Sequence, residues 1–545
     1  MAIKDHEGQS MYILTFCHGA CEGVTKTDSE AYTCCGDVAC DACQRFISLQ
    51  KEIAETKAHY DCLVKEYREL KQTINQVHKS PIDRFPVEVI SIIFEFFIEK
   101  AFVKKETRYP QLTLGAVCRN WRRIAWSTPS LWRSLTFTFT PSTTAETVGL
   151  AVEWLKRSGR LPVTIYFQTR NNSATNSFDR DLSLAEPLLQ AVNECSDRWF
   201  SISLRLPPSF VSAIRETSGP SPVLYALSAE PTGSASLQIP NSAPQSLYLA
   251  NIPLEDLSIN WEKVTEFACT ASYSVCDCIH ILQDAVNLVR CSFCPRTRGT
   301  LESTMGMTTN NRLESLLFTA PATPEDSAFF FDHVTLPALL SLRLDLGGSD
   351  IPITSLSAFL QRSFTTLYSL SLVNVNLPAS SLNALAVSIP FISELSIHIE
   401  WTIDRDTLIP FYRAFEPRIS CRRSSDSQFL PHLKSLSLSG QLDVPEELIA
   451  SLFIHYNSHD EVATSNRRPL ESVSILCRAM ETAGDDVPLV YITKPALGQI
   501  EFLEKKGLQV SVEDYSGFDL VKESREGWSL EENRSETQPS IKTHR

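Results

Sequence analysis

The residues in this 545-residue chain with the most chemistry to offer are its 16 cysteines. Six crowd the N-terminal stretch: Cys17, Cys21, Cys34, Cys35, Cys40 and Cys43, ordered C-x3-C, a gap of twelve, then C-C-x4-C-x2-C, with His18 beside the first. Thiolates paired two or three residues apart on either side of a loop are the usual ligand pattern of tetrahedral zinc. On that reading Cys17 and Cys21 supply one pair and Cys40 and Cys43 the other, with Cys34 or Cys35 as a substitute. The metal would then stabilise a segment too small to hold a core of its own. A leader of free thiols fits the same residues. No His–Glu pair with metalloenzyme spacing accompanies them, which argues against a catalytic zinc. Cys276-x-Cys278 and Cys291-x-x-Cys294 also have ligand-like spacing, but Cys269 and Cys291 fall where a repeat wants a small buried hydrophobe, and structural use is expected there.

Other catalytic chemistry finds no footing. The chain holds no G-x-S-x-G, no GxxxxGK[ST] phosphate loop, no HExxH and no kinase motif set, and its 11 histidines are scattered. The chain is therefore expected not to be an enzyme. A formal charge of −14, from 50 basic and 64 acidic side chains, argues against a dedicated nucleic-acid binder. The greasiest run, Val89 to Ile98, is too short for a membrane span and contains Glu95. The apolar stretch MYILTF is too short for a secretory signal. Reduced thiols in the cytosol or nucleus are expected.

The elements that would position partners come next. From Phe46 the apolar residues alternate steps of three and four: Phe46, Leu49, Ile53, Thr56, Tyr60, Leu63, Tyr67, Leu70, Ile74 and Val77. Lys, Glu, Gln and Arg fill most positions between, and no Gly or Pro interrupts. That is a coiled-coil seam of about four and a half heptads. A self-dimer and an intramolecular helix both satisfy it. Ser80-Pro81 ends it. The stretch from Pro81 to Leu135 follows, with apolar residues at Val89, Ile90, Ile93, Phe94, Phe97 and Ile98 behind Phe85-Pro86. A second group holds Leu112, Leu114, Val117, Cys118, Trp121, Ile124, Ala125 and Trp126, then Leu131-Trp132. Two or three short helices with faces this apolar make a small core, and part of the surface is expected to be buried on another molecule.

The ordered series FPxEVI…IF…F…VCRNWRRIA…PSLW resembles an F-box, and most resembles the fungal, basidiomycete-type group that carries an F-box-like domain ahead of leucine-rich repeats. Pro86, Glu88, Val89, Ile90, Ile93, Phe94, Val117, Cys118, Trp121 and Trp132 fall on the pattern. The insert from Glu99 to Gln111 is longer and more charged than the commonest form. The resemblance implies docking on the adaptor subunit of an SCF-type cullin–RING ubiquitin ligase, and through it on a cullin. The implied contacts are Phe85, Pro86, Val89, Ile90, Ile93, Phe94, Phe97, Val117, Cys118 and Trp121. The C-terminal part would recruit a substrate protein.

Beyond it, strand and helix patterns alternate. An apolar motif Φ-x-x-Φ-x-Φ recurs at Leu224/Leu227/Ala229, Pro244/Leu247/Leu249, Val264/Phe267/Cys269, Leu288/Cys291/Phe293, Leu313/Leu316/Phe318, Leu339/Leu342/Leu344, Leu367/Leu370/Leu372, Ile392/Leu395/Ile397, Leu433/Leu436/Leu438 and Leu470/Val473/Ile475. Starts lie 20 to 28 residues apart, then 41 and 37, which matches leucine-rich repeats with two late insertions. A capping helix stopped by Gly507 and the strand LQVSVED close the array. The fold class expected is thus α+β and multi-domain: a Cys-rich segment at 1–45, a coiled-coil helix at 46–79, a small all-α F-box at 80–135, an α/β leucine-rich-repeat solenoid at 136–520 and a disordered tail at 521–545. The function expected is a substrate receptor without membrane or nucleic-acid partners. A repeat scaffold that dimerises through 46–77 is the rival.

Overall fold

A computed structural model of the chain describes residues 3–4, 10–11, 41–77, 81–104, 109–170, 182–270, 273–295, 305–319, 323–363, 367–374, 384–385, 388–399, 405–416, 429–440, 443–457, 468–477 and 491–536. The protein is mixed α/β, with fourteen α-helices among the described residues and one large parallel sheet that does not close into a barrel. It divides into two compact units, Met1–Ile93 and Phe94–Arg545, with the boundary inside one helix. No helix among the described residues is long and apolar enough to cross a membrane.

In the first unit, helix α1 (Asp41–Val77) runs unbroken through the heptad segment. Its interior has no Gly or Pro, so nothing interrupts the i→i−4 ladder. The polar seam residue Thr56 turns its hydroxyl back to Glu52 O at 2.7 Å, and Thr73 does the same to Glu69 O at 3.0 Å. The apolar seam is not covered: Phe46, Leu49, Ile53, Tyr60, Leu63, Tyr67, Leu70 and Ile74 are all exposed. Of the expected zinc ligands, Cys17, Cys21 and Cys40, with the alternates Cys34 and Cys35, lie outside the described residues. Cys43 stands on α1, but its side chain also lies outside them. A 3-10 turn (Pro81–Arg84) leads to helix α2 (Val87–Lys104).

The second unit carries the sheet. Fourteen strands lie in chain order from Ser134–Phe139 at one edge to Gln509–Asp514 at the other, each parallel to its neighbour. The register is regular. Leu135, Ile165, Ile202, Leu227, Leu247, Phe267, Cys291, Leu316, Leu342, Leu370, Leu395, Leu436 and Val473 face one another on successive rungs. All are buried. From Leu227 onward this row is the second apolar position of every motif copy. Successive residues of a strand point to opposite faces, so the alternate positions form a different row. Toward the C-terminus that row is Ser371, Ser396, Ser437, Ser474 and Ser511. Leu-in and Ser-out is the period-2 pattern a one-sided parallel sheet demands.

Helices make most crossovers, and local caps start them. Ser274 Oγ accepts from Asp277 N at 3.1 Å while Asp277 Oδ2 accepts from Ser274 N at 2.7 Å, opening the helix Val275–Asp284. The 20-residue intervals leave no room for one. There the connections carry the short parallel strands Leu237–Ile239 and Leu257–Ile259, which pair with each other as a second small sheet.

After α2 ends at Lys104, helix α3 (Pro110–Val117) begins at Pro110. One expectation about the fold needs correcting. The disordered tail does not begin at 521, because Leu520–Glu536 is a helix with Leu520, Val521 and Ser524 buried. Ser524 Oγ accepts from Tyr491 N and Ile492 N, and Trp528 Nε1 donates to Ile492 O at 3.0 Å. Three backbone groups find partners this way, which composition alone does not reveal.

Candidate functional site

Of the candidate docking residues, Phe85 and Pro86 lead into α2, Cys118 lies between helices, and the rest sit on α2, α3 and helix α4 (Arg119–Ser127). Cys118 alone separates α3 from α4. Its backbone is extended, at φ −156° and ψ 172°, and its Sγ accepts from Trp121 N at 3.4 Å as the N-cap of α4. Arg122 Nε then donates to Gly115 O at 2.7 Å, tying the two helices together. Gly115 is required by close approach, since a Cβ there would lie 2.1 Å from Trp126 Cζ3. The Val-Cys-Arg-x-Trp order therefore builds a corner.

That corner is fastened to the start of the sheet. Gln111 Nε2 donates to Leu131 O at 2.9 Å, Trp132 Nε1 to Ala125 O at 2.7 Å, and Trp154 Nε1 to Ser134 O at 3.0 Å. Trp132 packs edge-on between Trp126 and Trp154, with centroids 5.1 and 4.8 Å away, and Arg157 lies over Trp126 and Trp132. Ser130 Oγ donates to Glu95 on α2. Buried Trp N–H groups with partners and crossed rings make this a rigid base.

Two of the expected docking residues belong to the core. Ile90 is 2 % exposed and Phe94 1 %, with the Phe94 ring 5.0 Å from that of Trp121, so neither side chain is available to a partner. Trp121 is half-buried. Phe85, Pro86, Val89, Ile93, Phe97, Val117 and Cys118 are exposed. Exposed apolar neighbours outside the expected docking set are Val87, Ile92 and Phe96, which the apolar groups left out, and Leu112, which they included, with Phe96 at 67 %. A signal for them was present: the run VEVISIIFEFFIEKAF is apolar almost all round, and a helix of that kind on a small core leaves one face uncovered. Along α2 the uncovered side chains recur at Val89, Ile92, Ile93, Phe96 and Phe97.

No group of three or more His, Cys, Asp or Glu side chains that could hold a metal occurs among the described residues. Cys269, Cys276, Cys278 and Cys291 are buried in the sheet unit. Burial pushes the Cys278 and Cys291 thiols well up, so they stay protonated, as packing groups do. On the sheet unit a shallow groove of about 480 Å³ is lined by Phe200, Val223, Tyr225, Gln245, Lys263 and Arg312, among others. Its Phe200 and Tyr225 rings stack at 5.8 Å.

A scan against family models finds no match to this chain, and a search of curated proteins finds no relative.

Proposed function

We propose that this protein is the substrate-recognition subunit of an SCF-type cullin–RING ubiquitin ligase. In this reading residues 80–135 are an F-box that docks on the adaptor, and the sheet unit is a leucine-rich-repeat solenoid that holds the target. The observation that carries it is the apolar side of α2: Val89, Ile92, Ile93, Phe96 and Phe97 stand in solvent on a helix whose other side, at Phe94 and Ile98, is core. Apolar side chains grouped like this on one helix mark an interaction surface. The single-order parallel sheet, with its apolar motif in register from strand to strand, supports the repeat reading, since arrays of this kind serve as binding surfaces. The chain would supply proximity and orientation, and the thioester chemistry would belong to its partners.

The test is capture of the adaptor by the full chain, with an Ile93→Asp/Phe96→Asp variant as control. Both side chains are exposed, so the variant keeps its fold, which circular dichroism checks. Binding by the wild type and its loss in the variant support the proposal. No binding by the folded wild type refutes it.

A further inference from the structure

We propose that α1 pairs with α1 of a second copy of this chain as a parallel, in-register two-stranded coiled coil. The helix is continuous from Asp41 to Val77, and its seam is bare along its described length. With Phe46, Ile53, Tyr60, Tyr67 and Ile74 at the first core position of each heptad, the second core position falls on Leu49, Thr56, Leu63 and Leu70. A β-branched residue at the first position, as at Ile53 and Ile74, with Leu at the second, favours two strands over three or four.

Charge selects the partner and its direction. The residues flanking the seam are Arg45, Glu52, His59, Glu66 and Thr73 on one side and Gln50, Lys57, Val64 and Lys71 on the other. In a parallel, in-register pair each residue of the first set meets the residue five positions on in the other copy. Glu52 then meets Lys57 of the second copy and Glu66 meets Lys71 of the second copy, twice each by symmetry, and no like charges meet. An antiparallel pair sets each flank against itself, Glu toward Glu and Lys toward Lys.

The ion pairs already made within α1 fit this assignment. Lys51–Glu55 and Lys65–Glu69 lie on the side away from the seam, at 3.7 and 4.0 Å. Glu52, Lys57, Glu66 and Lys71 make no ion pair among the described residues. The outer face is satisfied within one helix; beside the seam Lys71 lies over the Tyr67 ring at 6.0 Å, and Glu52, Lys57 and Glu66 are left for another helix.

Sedimentation equilibrium of the full chain tests this. The expected mass is twice the 61.0 kDa of one chain. Glu52→Lys/Glu66→Lys alone, and Lys57→Glu/Lys71→Glu alone, should each weaken self-association by at least about tenfold, because four attractive contacts become repulsive. Mixing the two variants should restore the double mass as a mixed pair. Glu and Lys are both good helix formers, so these exchanges leave α1 intact. A wild-type chain that stays at single mass at micromolar concentration overturns the proposal. So does a charge-reversed variant that associates as the wild type does, or a mixture that fails to recover.

Discussion

Leu370→Ala tests the inward row of the sheet directly. Leu370 is fully buried and lies between Leu342 and Leu395 on the neighbouring rungs. The change deletes three carbons, a transfer loss of about 2.4 kcal/mol at ~0.8 kcal/mol per buried CH2. The neighbours are held by backbone hydrogen bonds and cannot close the gap, so a residual cavity of roughly 60 Å³ adds about 1.5 kcal/mol. The expected loss is about 4 kcal/mol. Cys291→Ala, on the same row, removes only a sulfur and should cost about 1 kcal/mol. Ser371→Ala, one residue along the same strand but on the other face, should change stability by no more than about 0.5 kcal/mol. The assay is amide hydrogen exchange of the strands Ser341–Asp345, Ser369–Val373 and Glu394–Ile399. Leu370→Ala should speed their exchange on the order of a thousandfold where it proceeds through opening of the sheet. A cost under 1 kcal/mol for Leu370→Ala, or an equal cost for Ser371→Ala, would refute the assignment of faces.

Further outcomes follow from the thiols and from one backbone angle. Burial pushes the Cys195 and Cys477 thiols up to about 11 from an ordinary 9.0. The folded chain thus keeps protons that the unfolded chain loses, so this stability is full below pH 9.0 and falls between 9.0 and about 11. The loss is roughly 2–3 kcal/mol per thiol, and urea midpoints at pH 8 and pH 11 that coincide would contradict it. Alkylation at pH 8 should label the exposed Cys62 and Cys118 and leave Cys278 and Cys291 untouched until the protein unfolds, as peptide mapping would report. Gly440 ends its strand at φ 133°, a left-handed setting closed to residues with a Cβ; Gly440→Ala should cost at least about 1 kcal/mol by thermal unfolding.

What was legible in the sequence is what a period can carry. The three-and-four spacing from Phe46 marks a helix, and α1 spans it. The six-residue apolar motif marks strands two positions apart on one face, and the register aligns those same residues. The misses have local physical causes. Ile90 and Phe94 share an apolar stripe with Val89, Ile93 and Phe97, but on a helix with apolar residues all round no period tells the covered side from the bare one. Phe94 is covered partly by Trp121, placed by a corner at Cys118 that depends on one extended residue. The helix from Leu520 looks like tail because its composition is charged. What holds it are the N–H groups of Tyr491 and Ile492 donating to Ser524 Oγ and Trp528 Nε1 donating to Ile492 O, bonds across some thirty positions that leave no trace in its own pattern. The 20-residue spacing around Leu237 and Leu257 carries no signal of its own for the short strands that pair there.

The spacing of the sheet is indifferent to how much chain lies between its strands. Strands that start 20 residues apart and strands that start 41 apart are separated by the same single rung, because inter-strand hydrogen bonds fix that distance at about 4.8 Å. The sheet is in effect a ruler with fixed graduations, thirteen steps covering roughly 60 Å of contour. Two kinds of inherited change are thereby uncoupled. Lengthening or shortening a connection alters what hangs at one graduation and moves none of the others, whereas altering a rung residue disturbs the scale itself. A lineage of such proteins can remodel its surface by insertion and deletion while every remaining surface position keeps its address.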